Sequence, residues 1–293
     1  MRGTARNITA GGVEVSNLAC EMATTLSSSH STTSEILHRI DSALAAARGV
    51  VSQFVSGNVK AERKNSDRTL VTEADRSVNR ILRELLLRDE EGWLSEEDVD
   101  NVERLKAHRV WIVDPLDGTK EFVAGIPEWG ISVAMIEGGV AIAGGVCNPA
   151  TGEIFLGSRE TGVTYNGRRV QVSERSSFEG AEILASRSET ERGEWKCFEQ
   201  APFAVRPMGS VAYKLARVAA GLADATWTLS PKNEWDVAAG VALVKAAGGY
   251  VGFLPDTQPT FNNKRTLLPG LFACGPCLKD SISSLLQPLS RHS

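Results

Sequence analysis

Apolar residues recur at three- and four-residue steps in two stretches near the start of the chain, one beginning at Ser34 and one after Thr72. This period predicts two amphipathic helices, each with one buried face. Ser34 can cap the first helix, and Thr72 and Asp75 have the spacing of a capping box at the start of the second. Residues 1–33 are rich in Ser, Thr and Ala and show no such period. We expect them to form a flexible extension.

Short β-prone runs separated by Gly, Pro and Asn follow between residues 129 and 172. They predict an antiparallel meander, with a hairpin turn at Asn166-Gly167. From about residue 181, strand-like and helix-like segments alternate, which is typical of an α/β unit. The sequence therefore predicts a flexible extension over residues 1–33, an α+β domain over residues 34–180 and an α/β domain over residues 181–293.

Residues 111–119 join an apolar, strand-like run to a polar turn that contains Asp114, Asp117 and Thr119. Proline and glycine in the turn stop the strand, so we expect both carboxylates at a strand end. Mg²⁺ fits such a pair best, because no His or Cys ligand for zinc or copper lies nearby. The backbone amides of Gly118 and Thr119 favour an anion. A cation site beside an anion site indicates phosphate chemistry, although the same residue types also form ordinary turns.

Further acids are candidates for the same site. Glu96 and Glu97 follow a short apolar run about twenty residues before Asp114, and Asp236 opens a predicted helix. Each has a simpler explanation, since a run of acids usually forms a wet surface and an aspartate at a helix start can be a cap. Asp75 is likewise explained by its place in a first helical turn, where the helix dipole favours a carboxylate.

Composition excludes several classes of ligand. The chain has 293 residues, 36 acids against 32 bases, and only 6% aromatic residues. We therefore expect no nucleic-acid polymer as the main partner. No apolar stretch approaches the roughly 18 residues that span a bilayer, and the first residues lack an apolar signal core, so we expect no membrane contact and a cytoplasmic location. Cys274-Gly-Pro-Cys277 matches a dithiol spacing but lacks the tryptophan and early position of that motif, which favours coincidence.

Four segments in order resemble the inositol monophosphatase superfamily of Mg²⁺-dependent, lithium-sensitive phosphomonoesterases. They are Val-Thr-x-Ala-Asp ending at Asp75, the acidic pair at 96–97, Asp-Pro-Leu-Asp-Gly-Thr at 114–119, and Trp-Asp-x-Ala-Ala at 235–239. The resemblance spans about residues 35–287. It implies a layered αβαβα sandwich of the inositol monophosphatase and sugar phosphatase type, often a homodimer.

Within that superfamily, residues 94–98, 114–122 and 186–188 are most similar to the CysQ-type 3'(2'),5'-bisphosphate nucleotidases. Those enzymes remove the 3'-phosphate of adenosine 3',5'-bisphosphate. The chain departs from them at Glu189, where they usually have His. The chain also departs from inositol-specific enzymes at Leu229, where those enzymes usually have an acid that holds ring hydroxyls. Arg206, by contrast, matches an arginine found in many inositol enzymes.

The resemblance also implies a role for each site residue. Two or three Mg²⁺ ions would be held by Glu96, Asp114, Asp117, Asp236 and the backbone carbonyl of Leu116. Thr119, hydrogen-bonded to Asp75, would orient the attacking water, with Glu97 assisting at the edge of the metal site. The implied substrate contacts are Asp117, Gly118, Thr119, Ser186, Arg187, Gly209, Ser210, Lys214, Lys232 and Asp236.

A second phosphate on the substrate would favour a cation such as Arg187 or Lys232, although solvated surface residues would explain the cations equally. The predicted function is Mg²⁺-dependent hydrolysis of a small phosphate ester, first of all adenosine 3',5'-bisphosphate. An inositol phosphate, histidinol phosphate or sugar phosphate is the alternative substrate. A further hypothesis is a non-catalytic protein that binds metal and interacts with, for example, the transcription machinery. The presence of every predicted metal carboxylate argues against it.

Overall fold

The computed structural model describes residues 13–63, 70–254 and 256–288, with side chains from residue 32 onward. The helices are α1 (Val13–Val51), α2 (Glu73–Leu86), α3 (Thr119–Ala124), α4 (Arg187–Glu191), α5 (Val211–Ala219), α6 (Glu234–Ala246) and α7 (Lys279–Leu286). Short 3-10 helices cover Val102–Lys106, Lys196–Phe198 and Pro276–Leu278.

The larger sheet has seven strands in the order in which they occur along the chain. Its strands are β3 (Gly92–Ser95), β4 (Arg109–Asp117), β5 (Gly130–Glu137), β6 (Val140–Asn148), β7 (Glu153–Ser158), β8 (Gly162–Tyr165) and β9 (Arg168–Val170). Strands β3 and β4 are parallel, and every later neighbour pairs antiparallel. The predicted meander is therefore confirmed, as is the hairpin turn, where Asn166 and Gly167 both have positive φ.

The smaller sheet consists of β10 (Glu182–Ser186), β11 (Ala204–Met208), β12 (Ala225–Thr228), β14 (Tyr250–Phe253) and β16 (Leu271–Cys274). Their order across the sheet is β11-β10-β12-β16-β14. Two small pairs complete the structure: β1 (Ala61–Arg63) with β2 (Leu70–Thr72), and β13 (Lys232–Asn233) with β15 (Leu267–Leu268). The predicted boundary at residues 180/181 falls in the connection between the two sheets.

Alternation along buried strands explains how the layers stack. In β4, Trp111 and Val113 face α1 and α2, whereas Val110 and Ile112 face α5 and α6. Helices α5 and α6 also cover one face of the smaller sheet. Helix α7 and the aromatic side chains of Trp195, Phe198 and Phe203 cover the other face. The order is helices, sheet, helices, sheet, helices, so the predicted αβαβα sandwich is confirmed.

The predicted start of the first helix is wrong. Helix α1 begins at Val13, not at Ser34, and so includes much of the segment predicted as a flexible extension. No glycine or proline interrupts residues 13–48, and Ala, Ser and Thr are compatible with a helix even where no apolar stripe marks a buried face. The apolar stripe after Ser34 marks side chains that pack on the core, among them Ile36, Ile40 and Leu44. Residues 1–12 lie outside the described residues.

A further expectation needs correction. Strand β4 continues past the proline to Asp117, because a register shift between Asp114 and Asp117 lets the chain bulge where proline cannot donate a ladder hydrogen bond.

Within the described residues Cys274 is buried and Cys277 exposed, both with free thiols. Burial raises the pKa of the Cys274 thiol to about 12, which does not fit a reactive dithiol.

Candidate active site

The site is centred on the bulged end of β4, where Asp114 is almost fully buried. Its Oδ1 accepts a hydrogen bond from the backbone N–H of Leu116 at 3.0 Å. Its Oδ2 is buried and has no hydrogen-bond partner. A buried carboxylate oxygen without a donor is costly unless a cation or another ligand satisfies it.

Two other carboxylates meet Asp114. Glu96 directly follows β3, whose last residue is paired with Val113, and its backbone N–H donates to the Val113 carbonyl. Asp236 lies in the first turn of α6 and accepts from the N–H of Asn233 at 2.8 Å. One oxygen from each of Glu96, Asp114 and Asp236 lies within 4.8 Å of the others. The fold thus joins acids from a strand end and a helix start that are far apart in sequence.

Crowding of negative charge is visible in the acidity of these groups. Burial, followed by the charges of neighbouring carboxylates, raises the pKa of both Asp114 and Asp236 well above the ordinary value. A donor set made only of carboxylate oxygens suits a hard divalent cation such as Mg²⁺. The partnerless Oδ2 of Asp114 fits the same group. Glu96, Asp114 and Asp236 are therefore the residues that would hold it.

Asp117 is hydrogen-bonded to the second half of the molecule. Its Oδ2 accepts from the Ser210 hydroxyl at 2.6 Å and from the Ala212 N–H at 2.7 Å, both at the start of α5. Burial raises the pKa of Asp117, against the lowering effect of the bond from Ser210. Asp117 lines the same cavity as the three clustered acids.

Thr119 and Asp75 are in contact. The Thr119 hydroxyl lies 3.1 Å from Asp75 Oδ1 and also 3.1 Å from the carbonyl of Leu116. The other oxygen of Asp75 accepts from both the N–H and the hydroxyl of Thr72, and the N–H of Ala74 donates to that hydroxyl, so the predicted capping box is confirmed. Burial raises the pKa of Asp75, opposed by these hydrogen bonds.

Gly118 allows the tight turn between the acids and α3. Its φ is +97°, and an added Cβ would lie 3.1 Å from the Glu128 carbonyl oxygen and from Trp129 Cβ. The first amides of α3, which no intrahelical carbonyl can reach, therefore stand beside the acidic cluster.

The clustered acids, Asp117, Gly118 and Thr119 line one cavity of about 470 Å³, whereas Asp75 is not among its walls. Its walls are Arg63, Leu70, Glu96, Asp114, Leu116, Asp117, Gly118, Thr119, Lys120, Glu121 and Asp236. Glu97 lines a neighbouring cavity together with Arg76, Asn79 and Arg83. Its assisting role at the edge of the metal site stays a prediction.

The predicted substrate residues Ser186, Arg187 and Gly209 of the second half make contacts within the protein. Ser186 caps α4, because its hydroxyl accepts from the N–H of Glu189. Arg187 forms an ion pair with Glu128, whose Oε2 lies 2.5 Å from one guanidinium nitrogen and also accepts from the N–H of Gly209 at 2.9 Å. Arg187 and Gly209 therefore connect the two halves through one carboxylate.

Lys214 supports the loop before α5. It is buried, and its ammonium donates to the carbonyls of Met208, Gly209 and Ser210 at 3.2, 3.3 and 3.0 Å. Burial lowers the pKa of Lys214 to about 8. These contacts fix the loop that carries Ser210, and a direct contact of Lys214 with substrate stays a prediction.

Three acids that take part in this arrangement were not predicted from sequence. Glu121 is a buried wall of the cavity, and burial raises its pKa. Glu128 holds Arg187, and Glu189 contacts Lys232 at 3.4 Å. Glu121 follows Thr119 by two residues within the recognised motif, which is a usable signal. The partners of the other two lie 59 and 43 residues away, so no local pattern reveals them.

A model of the inositol monophosphatase family matches residues 33–287. This chain belongs to the inositol monophosphatase family. Family membership agrees with the site, because the acids of the matched motifs meet at one cavity.

Curated relatives carry several functional names. An inositol-1-monophosphatase from Rhizobium meliloti is 39% identical over 189 residues, which cover 61% of this chain and 70% of that protein. A fructose-1,6-bisphosphatase/inositol-1-monophosphatase from Thermotoga maritima is 35% identical over 200 residues, covering 65% and 73%. The Nus factor SuhB of Pseudomonas aeruginosa is 31% identical over 235 residues, covering 74% and 84%.

Solved structures of the family have the same fold. The extragenic suppressor protein SuhB from Bartonella henselae superposes with a TM-score of 0.75 at 28% identity, covering 86% of this chain and 98% of that one. CysQ from Bacteroides thetaiotaomicron gives 0.68 at 24% identity, covering 82% and 96%, and supports the fold alone. The likeness to CysQ in particular stays a prediction. None of the helices in the described part of the chain has the length and apolar character needed to cross a bilayer.

Proposed function

We propose that this member of the inositol monophosphatase family is a Mg²⁺-dependent phosphomonoesterase, and that adenosine 3',5'-bisphosphate is its substrate. The observation that carries the catalytic part is the meeting of Glu96, Asp114 and Asp236, with one oxygen of Asp114 lacking a partner, beside the first amides of α3. An all-carboxylate cation site next to an anion-binding helix start suits phosphoryl transfer to water.

When bound, two or three Mg²⁺ ions would neutralise the phosphate and acidify a water molecule. The protein's own part is to align that water. The Thr119 hydroxyl has one proton and two acceptors within reach, Asp75 Oδ1 and the Leu116 carbonyl. When the proton points to Asp75, the hydroxyl oxygen presents lone pairs to an attacking water. Because burial raises the pKa of Asp75, its carboxylate accepts proton density more readily than an exposed one.

Charge that develops on the phosphoryl oxygens needs donors fixed in advance. The amides of Gly118 and Thr119 would supply them, since the positive φ of Gly118 turns the chain sharply into α3. Asp117 accepts hydrogen bonds from Ser210 and Ala212 and would thereby fix the position of this turn relative to the second half. The protein therefore contributes orientation and electrostatic stabilisation without a covalent intermediate.

Two substrates have specific support. The motif likeness at residues 94–98, 114–122 and 186–188, together with an apolar Leu229 where inositol enzymes usually have an acid, favours the bisphosphate nucleotide. The names of the Rhizobium and Thermotoga relatives favour inositol 1-phosphate. A cytoplasmic location, lithium inhibition and a homodimer are further expectations from the family.

The test is Mg²⁺-dependent phosphate release from adenosine 3',5'-bisphosphate and inositol 1-phosphate, with and without lithium, using Asp114→Asn as the blank. We expect release from the nucleotide at the higher kcat/KM. Faster release from inositol 1-phosphate would replace the nucleotide by the second substrate. Release that Asp114→Asn leaves intact would show that the activity does not come from this site.

The SuhB names raise the non-catalytic alternative. It would be supported if the purified chain bound a macromolecule but released negligible phosphate from every small phosphate ester. The complete set of clustered acids favours the enzyme, because an interaction surface has no need of a buried carboxylate oxygen left without a partner.

A further inference from the structure

The second half contains a fully buried carboxylate that the proposed reaction does not use. Glu189, in the first turn of α4, accepts hydrogen bonds from the Trp195 indole N–H at 3.2 Å, from the Leu229 N–H at 3.4 Å and from the Thr228 hydroxyl. Burial raises its pKa, but the bond from Thr228 and the charge of Lys232 outweigh that effect, and the pKa is lowered overall. Glu189 is thus a fixed negative charge inside the protein.

Lys232 is the cation that this carboxylate holds. Its ammonium lies 3.4 Å from Glu189 Oε1, and its side chain is 17% exposed. Among the described residues Glu189 is the one acceptor within hydrogen-bond distance of that ammonium, so two of its three N–H donors are available to a ligand. The other oxygen of Glu189 is already occupied by neutral donors, which leaves the carboxylate little capacity for a further partner.

Lys232 is joined to the acidic cluster through its neighbour in the chain. It lies in β13 next to Asn233, whose backbone N–H donates to Asp236 at 2.8 Å, and its positive charge has a lowering effect on the pKa of both Asp117 and Asp236. Lys232 and Lys214 repel one another, which contributes to the lowered pKa of Lys214. The ion pair with Glu189 offsets that repulsion and the cost of partial burial of Lys232.

Three other cations near the site, Arg187, Lys214 and Lys120, are already engaged. The Arg187 guanidinium donates two hydrogen bonds to Glu128. The Lys214 ammonium is enclosed by three carbonyls, and Lys120 forms an exposed ion pair with Glu191. A ligand anion that approached Arg187 would have to compete with a fixed carboxylate, whereas at Lys232 the balancing carboxylate is buried behind the ammonium.

We propose that Glu189 and Lys232 form a subsite for a second anionic group, so that the enzyme selects phosphate esters that carry two phosphates. Lys232 contacts the second phosphate, and Glu189 is a positioning residue that acts through Lys232. This inference rests on the proposed phosphomonoesterase function and deepens it. It assigns to Lys232, and not to Arg187, the recognition of the second phosphate.

Two matched substrate pairs test the subsite: adenosine 3',5'-bisphosphate against adenosine 3'-monophosphate, and inositol 1,4-bisphosphate against inositol 1-phosphate. The wild-type protein should show a higher kcat/KM for the doubly phosphorylated member of at least one pair. Lys232→Gln should reduce that preference at least about tenfold, because a charge-assisted contact to phosphate is lost. The readout is the ratio of the two kcat/KM values within a pair, because loss of the Lys232 charge also acts on Asp117 and Asp236 and so changes the turnover of both members alike. The further change should fall on KM for the bisphosphate.

A double-mutant cycle tests the role of Glu189. Glu189→Gln should weaken the preference in the same direction as Lys232→Gln, and the double variant should match Lys232→Gln alone, because a positioning residue has no effect once its target is gone. Lys232→Arg should retain most of the preference. The matched control is Glu153→Gln, a buried carboxylate that receives a cation, Arg217, away from the cavity; it should lower the thermal midpoint without changing the preference.

The outcomes separate the two proposals. Phosphate release without any preference for bisphosphates, or an equal effect of Lys232→Gln on both members of a pair, would overturn the subsite and leave the phosphomonoesterase intact. So would an effect of Glu189→Gln that persists undiminished in the Lys232→Gln background. Failure to release phosphate from any of the four esters would overturn the proposed function and the subsite with it.

Discussion

Asp114 shows at the scale of one residue how the fold prepares a cation site. One of its oxygens is satisfied by a backbone amide, and the other is buried without a partner. An ionised carboxylate in that position is unfavourable unless a positive charge compensates it. The sequence predicted this residue from a strand-like run that ends in two acids, although the same residue types also form ordinary turns.

Asp114→Asn should lower Mg²⁺-dependent phosphate release by more than about 100-fold, since even residues that merely support a metal ligand are worth 10- to 100-fold. Its thermal midpoint without Mg²⁺ should equal or exceed that of the wild type. The folded-state pKa of Asp114 is raised above the unfolded value, so its charge removes stability as pH rises through that range, and asparagine eliminates the loss. A variant that unfolds would contradict this account.

Glu91 contributes to stability through a buried ion pair that sequence reasoning did not find. It lies 2.7 Å from Arg39 of α1 and also accepts from the Trp111 indole at 2.9 Å. The guanidinium stands over the Trp111 ring at 4.9 Å. Burial raises the pKa of Glu91, but the hydrogen bonds from Arg39 and Trp111 outweigh it and the net shift is downward.

Glu91→Gln should therefore reduce the free energy of unfolding by about 3 kcal/mol, because it leaves Arg39 buried without its counter-charge. Urea denaturation measures the change. Since the folded-state pKa is lowered, the contribution is present above the unfolded value and disappears as pH falls through the folded one. Glu103→Gln, which breaks an exposed pair with Lys106, is the control and should change stability by less than about 0.5 kcal/mol.

Helix starts position most of the site at the scale of elements. Glu96 and Asp114 come from neighbouring strand ends, but Thr119, Ser210 and Asp236 each stand at the beginning of a helix. Capping patterns in the sequence predicted two of the helix starts that matter, at Thr72 and near Asp236. The start of α1 was missed, because its first residues have no apolar face from which a period can be read.

Substitution of Ser210 separates two roles of one helix cap. Its hydroxyl accepts from the Tyr213 N–H and donates to Asp117, and its φ is +49°. Ser210→Ala should cost about 1–2 kcal/mol, because it loses the cap and keeps a side chain in a left-handed conformation, whereas Ser210→Gly should cost less. Both should lower kcat/KM about tenfold through Asp117. Equal stability of the two variants would contradict the role assigned to the backbone.

The whole molecule places its candidate site between two sheets that share α5 and α6. Asp117 belongs to the larger sheet and its hydrogen-bond donors to the start of α5, while Glu128 of the first half holds Arg187 of the second. The family motifs predicted the acids and the layered sandwich. They did not predict these cross-links, because contacts over 59 to 95 residues depend on how the sheets stack.

Mg²⁺ should raise the thermal midpoint of the whole chain, since a ligand that binds the folded state alone stabilises it. At 100 times the dissociation constant the gain is about 2.7 kcal/mol, or roughly 5–10 °C for a chain of this size. Differential scanning fluorimetry with Mg²⁺ and with a chelator measures the shift, and Asp114→Asn should abolish it. An equal shift in that variant would place the stabilising ion elsewhere.

The spread of the acids along the chain has a consequence for biosynthesis. Glu96 and Asp114 leave the ribosome more than a hundred residues before Asp236, and Asp117 precedes its partners at the start of α5 by over ninety. A nascent chain therefore displays incomplete acidic groups until α6 has been translated and docked. The metal can stabilise the finished fold but cannot guide its early stages, and a product truncated before α6 would lack both Asp236 and the helix that fills the core between the two sheets.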